Sequence, residues 1–242
     1  MPNRRRGTGN REPGATGDGP RAGVLNGPLH ESDNVGSRLP ARGCPLWLLY
    51  TRPMPQRATS TVDWERSRYD GVRMSEAEYL ALPEEKPYLE YVDGVVVQKA
   101  MGDWDHGTLA HELDFLLGLY RRLHGGHALV ELRSLQLPRR NYRLADVSYF
   151  APGAHTGNEA LPTLAIEIRS PDETIASQRR KCEGWIEAGC REAWLVEPRS
   201  RTVEVFGADG GRRTLHRDET LVSNGAPGLE VDLAALFATL DR

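Results

Sequence analysis

Two acids set in apolar runs, Asp146 and Glu167, are the residues of this 242-residue chain whose types and spacing could do chemistry. In Leu164-Ala165-Ile166-Glu167-Ile168-Arg169, strand alternation puts Leu164, Ile166 and Ile168 on one face and Ala165, Glu167 and Arg169 on the other. Burying an unpaired charge costs on the order of several kcal/mol, so Glu167 needs a partner: Arg169, a metal ion, or solvent at a cleft. Leu144-Ala145-Asp146-Val147-Ser148 supplies the second acid on a neighbouring strand. Two carboxylates with one backbone carbonyl, such as that of Ile168, suit a hard divalent cation, Mg2+ or Mn2+, and leave positions for water and a phosphate oxygen. An ion so held activates water for phosphodiester hydrolysis. A cation of the protein is also wanted near the transition-state charge, and Arg169 or Lys181 could supply it. The same spacing admits purely structural ion pairs, Glu167 with Arg169 and Asp146 with Arg143 or Arg140.

The elements that must position these acids follow from pattern. Ser75 with Glu78 three residues on forms a capping box that opens a short helix ending before Pro83, and a folded domain is expected to begin here. Residues 88–92 and 95–99 flank Asp93-Gly94, a strong hairpin signal. From His106 to His124, Leu109, Leu113, Leu116, Leu117 and Tyr120 recur at helical spacing, with Asp103 or Asp105 as the cap. Three strand-like runs follow, over 128–132, 142–150 and 163–169. A second helix over 172–188 turns Ile175, Cys182, Trp185 and Ile186 inward and ends at Gly189. Strands over 193–196 and 202–206 and a terminal helix capped by Asp232 complete a single α/β domain, a central mixed sheet flanked by helices.

Charge and composition divide the chain. Residues 1–73 carry 12 Arg and 7 acids and hold eight of the sixteen prolines, with almost no apolar periodicity. A disordered basic extension is expected there, or an upstream start codon chosen in error, with Met54 or Met74 as the true start. Residues 74–242, the expected domain, carry 19 basic and 27 acidic side chains. A net-acidic domain grips phosphate only through local clusters, and Arg139, Arg140, Arg143, Arg179 and Arg180 could form one, unless they are simply a solvated face. His106, at the start of the core helix, could bind metal or orient phosphate, or merely cap the helix. His111 and His124 are expected to face solvent, and Trp185 and Trp194 to lie in the core. Cys44, Cys182 and Cys190 are an odd number with no paired spacing, which indicates neither a disulfide framework nor a structural zinc site and points to a reducing cytoplasm. The apolar patch Leu46-Trp47-Leu48-Leu49-Tyr50 is too short to cross a membrane.

Several of these pieces occur in an order that resembles a family. They are Glu78-Tyr79-Leu80-Ala81-Leu82, residues 88–94, His106, Asp146-Val147, Ile166-Glu167-Ile168-Arg169-Ser170-Pro171, Lys181 and residues 189–198. The set is similar to the Uma-two restriction-endonuclease family within the PD-(D/E)XK nuclease superfamily. The resemblance implies a restriction-endonuclease-like fold in which Asp146 and Glu167 bind metal and Glu90 stands as a third carboxylate. Two positions depart from the family pattern. Ala145 replaces a proline that only shapes the strand, and Arg169 takes the place of the lysine in the Glu-x-Lys element. Arginine stays protonated and cannot accept a proton from water, so Lys181 stands as the displaced lysine. The expected function is metal-dependent hydrolysis of DNA, with RNA as another substrate of the same chemistry and a dimer suited to double-strand cleavage. The alternative is a catalytically silent binding or interaction module.

Overall fold

The computed structural model describes residues 66–155, 157 and 160–241. The expected extension lies almost wholly outside the described residues, as does the Leu46–Tyr50 patch. The described fold begins ahead of Met74: Gly71 N donates to Val96 O at 2.8 Å, Val96 N to Val72 O at 2.9 Å, and Arg73 bridges Val95.

Chain order runs α1 (Glu76–Leu80), β1 (Leu89–Val92), β2 (Val95–Gln98), α2 (Trp104–His124), β3 (His127–Val130), β4 (Arg133–Gln136), β5 (Asn141–Leu144), β6 (Val147–Phe150) and β7 (Leu164–Ile168). It continues with α3 (Ile175–Glu187), β8 (Glu192–Glu197), β9 (Thr202–Gly207), β10 (Arg212–His216), β11 (Thr220–Val222), β12 (Glu230–Asp232) and α4 (Leu233–Ala238). The capping box at Ser75 and Glu78, the Asp103 cap of α2 and the Asp232 cap of α4 all form. Helix α3 starts later than the pattern suggests, at a Thr174 cap, and this leaves Ile175 exposed on its first turn.

Six strands in the order β10-β9-β8-β7-β6-β3 make the central mixed sheet, and β2-β1-β5-β4 make a second, antiparallel one. Only β7 and β8 are parallel, joined through α3, as a crossover connection requires. The expected hairpin forms, but in the second sheet. The run over 142–150 is two strands. It leaves the small sheet as β5, turns at Ala145-Asp146 and enters the central sheet as β6, because its two halves pair with different neighbours.

Alternation along β7 sorts its side chains as expected. Leu164, Ile166 and Ile168 enter the larger core with Leu109, Leu113 and Leu117 of α2 and Phe237 of α4. Ala165 faces the other way, toward Cys182 and Trp185 of α3. Stacked tyrosines Tyr79 and Tyr91, with Tyr142 beside them, fill the small sheet's own cluster. Strands β11 and β12 and the split of the 142–150 run carry too few residues for periodicity to register, and β10 holds a single apolar residue, Leu215.

Glu192 is buried at the start of β8, where its carboxylate accepts from Trp194 Nε1 at 2.7 Å, Ser223 Oγ at 2.8 Å and Asn224 N at 3.1 Å. These bonds draw the 223–226 loop against the start of β7, where a Cβ on Gly225 would meet Thr163 O at 2.8 Å and Leu164 Cβ at 2.9 Å. Only glycine permits that approach, since backbone rather than a flexible side chain blocks the added atom. Gly225→Ala is therefore expected to lower stability by about 1–3 kcal/mol, the usual cost of overpacking. Chemical denaturation checks this, and an unchanged midpoint would show that the loop yields.

Candidate active site

Asp146 sits where the chain passes between sheets, and that turn brings its buried carboxylate against the end of β7. Oδ2 accepts from Ile168 N at 2.7 Å, and Oδ1 accepts from Lys99 Nζ at 2.5 Å. His106 Nε2, on the first turn of α2, lies 3.2 Å from Oδ2. Burial works against this carboxylate's charge, but Lys99 and His106 hold its pKa well below the ordinary aspartate range.

Glu167 is fully buried on the adjacent strand. Its Oε1 accepts from Trp185 Nε1 of α3 at 2.8 Å, while Oε2 has no hydrogen-bond partner. Lys181 Nζ stands 3.6 Å from Oε2. Burial pushes the Glu167 pKa up to about 7, against the pull of Lys181 and with the help of the Asp146 charge. Helix α3 presents this cation because Gln178, Lys181, Cys182 and Trp185 form one buried stripe at spacings of three and four.

Lys181 is surrounded by acids, 3.8 Å from Glu90, 3.6 Å from Glu167 and 3.7 Å from Glu173. Burial disfavours the ammonium, yet these carboxylates raise its pKa, so the side chain stays charged. Glu90 takes Arg143 Nη1 at 2.9 Å on one oxygen and Leu144 N at 3.1 Å on the other. Despite complete burial, Lys181, Arg143 and Lys99 keep its carboxyl below the ordinary range. Glu90 thus braces the cations and has its oxygens already engaged.

The remaining expected residues disperse. Arg169 lies past the end of β7, where it bonds Glu197 at 2.5 Å and Glu173 O at 3.0 Å, so the pairing with Glu167 suggested by alternation does not form. Arg140 bonds Glu76, and Arg179 bonds Glu204 on β9. Neither Arg140 nor Arg143 pairs with Asp146. Arg139, Arg143 and Arg180 do line one cavity with Lys181.

Lys99 belongs to the site and is not singled out by its neighbours in sequence. A signal existed in the hairpin register, which sets Glu90 opposite Val97, two residues before Lys99 on the same face. Lys99 also lies 3.8 Å from Glu131, and it lines both the cavity toward α3 and a second one bounded by Tyr88, Met101 and His106. Asp146 and Glu167 hold its pKa above the ordinary value although burial opposes them.

Among the described residues, no group of three or more His, Cys, Asp or Glu side chains is arranged to hold a metal. The pair Asp146 and Glu167 nevertheless fits a hard cation by donor chemistry. Both offer carboxylate oxygen, and Glu167 Oε2 is buried without a donor.

The family model for Uma2, described as "Putative restriction endonuclease", matches residues 76–235. A solved structure from Anabaena variabilis ATCC 29413, described as "a putative nuclease belonging to DUF820", is similar to this chain with a TM-score of 0.62 and 24% identity. That likeness covers 69% of this chain and 99% of the other, and it establishes the restriction-endonuclease-like fold. Among curated proteins, none matches. Since the family model spans well over half of the sequence, including every buried charge described above, the chain belongs to the Uma2 family of restriction-endonuclease-like proteins.

Proposed function

We propose that this nuclease-family protein hydrolyses phosphodiester bonds in DNA at Asp146 and Glu167 with Mg2+ or Mn2+. The observation that carries the reading is Glu167 Oε2, a buried carboxylate oxygen without a donor, set beside Asp146 in a cluster of retained positive charge. A divalent ion held by these two acids would supply a polarised water and neutralise phosphate charge.

The chain's own groups then have distinct tasks. Trp185 Nε1 fixes Glu167 through Oε1 and leaves Oε2 for the ion. Ile168 N orients Asp146 through Oδ2. Lys181 and Lys99 remain ammonium groups, so they stabilise charge on the phosphate and take no proton from water. His106, whose pKa is raised by Asp146 although burial opposes it, can hold a proton at Nε2 beside the attacking or leaving oxygen. Arg139, Arg143 and Arg180 line the cavity next to Lys181 and offer the domain's local phosphate contacts.

One observation favours the silent module. The 2.5 Å Lys99–Asp146 pair completes Asp146 Oδ1 with a cation of the protein itself. Lys99→Met separates the readings, because it frees Oδ1: Mn2+ should bind at least several-fold tighter by calorimetry if the site is a metal site. No binding by the wild type or this variant would leave the silent module standing.

Cleavage of plasmid and single-stranded DNA by the full chain with Mg2+ or Mn2+ tests the enzyme directly. Asp146→Ala and Glu167→Ala should abolish cleavage, and Lys181→Met should lower kcat by about 10²–10³-fold while metal binding persists. Cleavage that survives either carboxylate variant would place the chemistry elsewhere. The raised pKa of Glu167 also makes a prediction for the metal-free protein. Its folded state holds a proton up to about pH 7 that the unfolded state releases near the ordinary glutamate value, so the contribution to stability is full at low pH and is lost as pH rises through 7. Urea denaturation at pH 5 and pH 8 should show this slope in the wild type and not in Glu167→Gln.

A further inference from the structure

One cavity beside the proposed site lends its arginines to the phosphate contacts above, and its interior has no role in that chemistry. It measures about 580 Å³ and lies between the small sheet and α3, with Lys181, Lys99 and Glu90 at the catalytic end. Gln136, the last residue of β4, lines it. That side chain is 3% exposed, and its Nε2 has no hydrogen-bond partner. It lies against α3 at Gly184, where an added Cβ would come 3.4 Å from Gln136 Oε1. A buried amide donor without a protein partner costs about 1–3 kcal/mol unless a molecule in the cavity supplies an acceptor.

The lining also limits what could satisfy that donor. Lys99 and Lys181 stand at the end near Asp146 and Glu167, while Arg139 and Arg180 line the cavity together with Asp93, Glu183 and Glu187, and Arg139 is paired with Glu187 at 3.2 Å. That balance of charge suits a neutral polar ring with amino groups. The volume falls in the range of about 300–1,000 Å³ that holds a drug-sized ligand, and a nucleoside is of that size. A stacked base pair cannot bring an edge to a residue buried this deeply, so the base must leave its stack.

Building on the nuclease reading, we infer that this cavity receives one unstacked nucleobase of the bound strand, next to the scissile phosphate, and that Gln136 reads its edge. The amide donates Nε2–H to a ring nitrogen or carbonyl of the base, and Lys181 meets the adjoining phosphate. Gln136 is a specificity-determining residue here, and the preferred substrate is DNA with an unpaired or easily unstacked position.

Two arms of one experiment test this with the full chain. In the first, wild type and Gln136→Leu cut a pool of randomised single-stranded and duplex DNA. The wild type should show a base preference at one position beside the cut, and the variant should flatten it by at least about five-fold. An equal preference in both proteins overturns the inference. In the second, Ca2+ replaces the catalytic ion, and an oligonucleotide with one unpaired 2-aminopurine is titrated by fluorescence. Gln136→Leu should weaken binding roughly ten-fold, about the worth of one hydrogen bond, and equal affinity overturns the inference. If neither protein cuts DNA, the nuclease reading fails while the second arm still decides the cavity. Thermal melting guards against misfolding: removing an unpartnered buried amide should hold or raise Tm, and a large drop would show that the amide is structural.

Discussion

The structure depends on the burial of Asp146 between two cations. Its carboxylate joins three parts of the fold: Lys99 beyond the hairpin of the small sheet, His106 on the first turn of α2, and the Ile168 amide at the end of β7. A buried ion pair is weak evidence for stability, because desolvation offsets most of its attraction, and removing one partner strands the other. The arrangement therefore reads as a positioning device. It fixes the angle at which the chain leaves one sheet and enters the next, and it sets the acid beside Glu167.

Glu167 shows the opposite balance. Asp146 has a close cation and two hydrogen bonds, whereas Glu167 has one indole donor and an ammonium at a longer distance. Burial consequently dominates at Glu167 and favours the protonated form, while charge pairing dominates at Asp146 and favours the ionised form. Two carboxylates on neighbouring strands are pushed apart by their surroundings, a division of roles typical of sites that handle protons and metal ions. Three buried side-chain atoms among the described residues lack partners, Gln136 Nε2, Glu167 Oε2 and Gln178 Oε1. All three lie on α3 or the strands it faces. Concentrated local dissatisfaction of this kind marks a functional surface more often than a packing fault.

The positive charge of the site is set within the acidic half of the molecule. Lys181 is held by three carboxylates, and Arg143 by Glu90. Two of the five arginines expected to flank the acids are instead engaged in other ion pairs, Arg140 with Glu76 and Arg179 with Glu204. Phosphate recognition is thereby confined to the few cations lining the cavity, which suits a protein that admits nucleic acid at one place and does not bind it along its whole surface.

Short-range pattern determined a good deal by itself. Period-two alternation placed Glu167 opposite the apolar face of β7, the Asp93-Gly94 turn marked the hairpin, the caps at Ser75 and Asp232 marked helix starts, and the start of α2 was narrowed to Asp103 or Asp105. The stripe holding Lys181 and Trp185 follows from helical spacing in the same way. Each of these depends on residues within a turn or two of one another. The rest required the folded chain. Whether Arg169 turns toward Glu167 or Glu197 is decided where β7 ends, and Lys99 joins Asp146 across 47 positions. The division of 142–150 between two sheets depends on which strands lie alongside, which no local periodicity encodes. Alternation gives the side of a strand on which a charge sits, and only packing chooses the partner, because the cost of burial is met by whichever opposite charge the tertiary fold brings within reach.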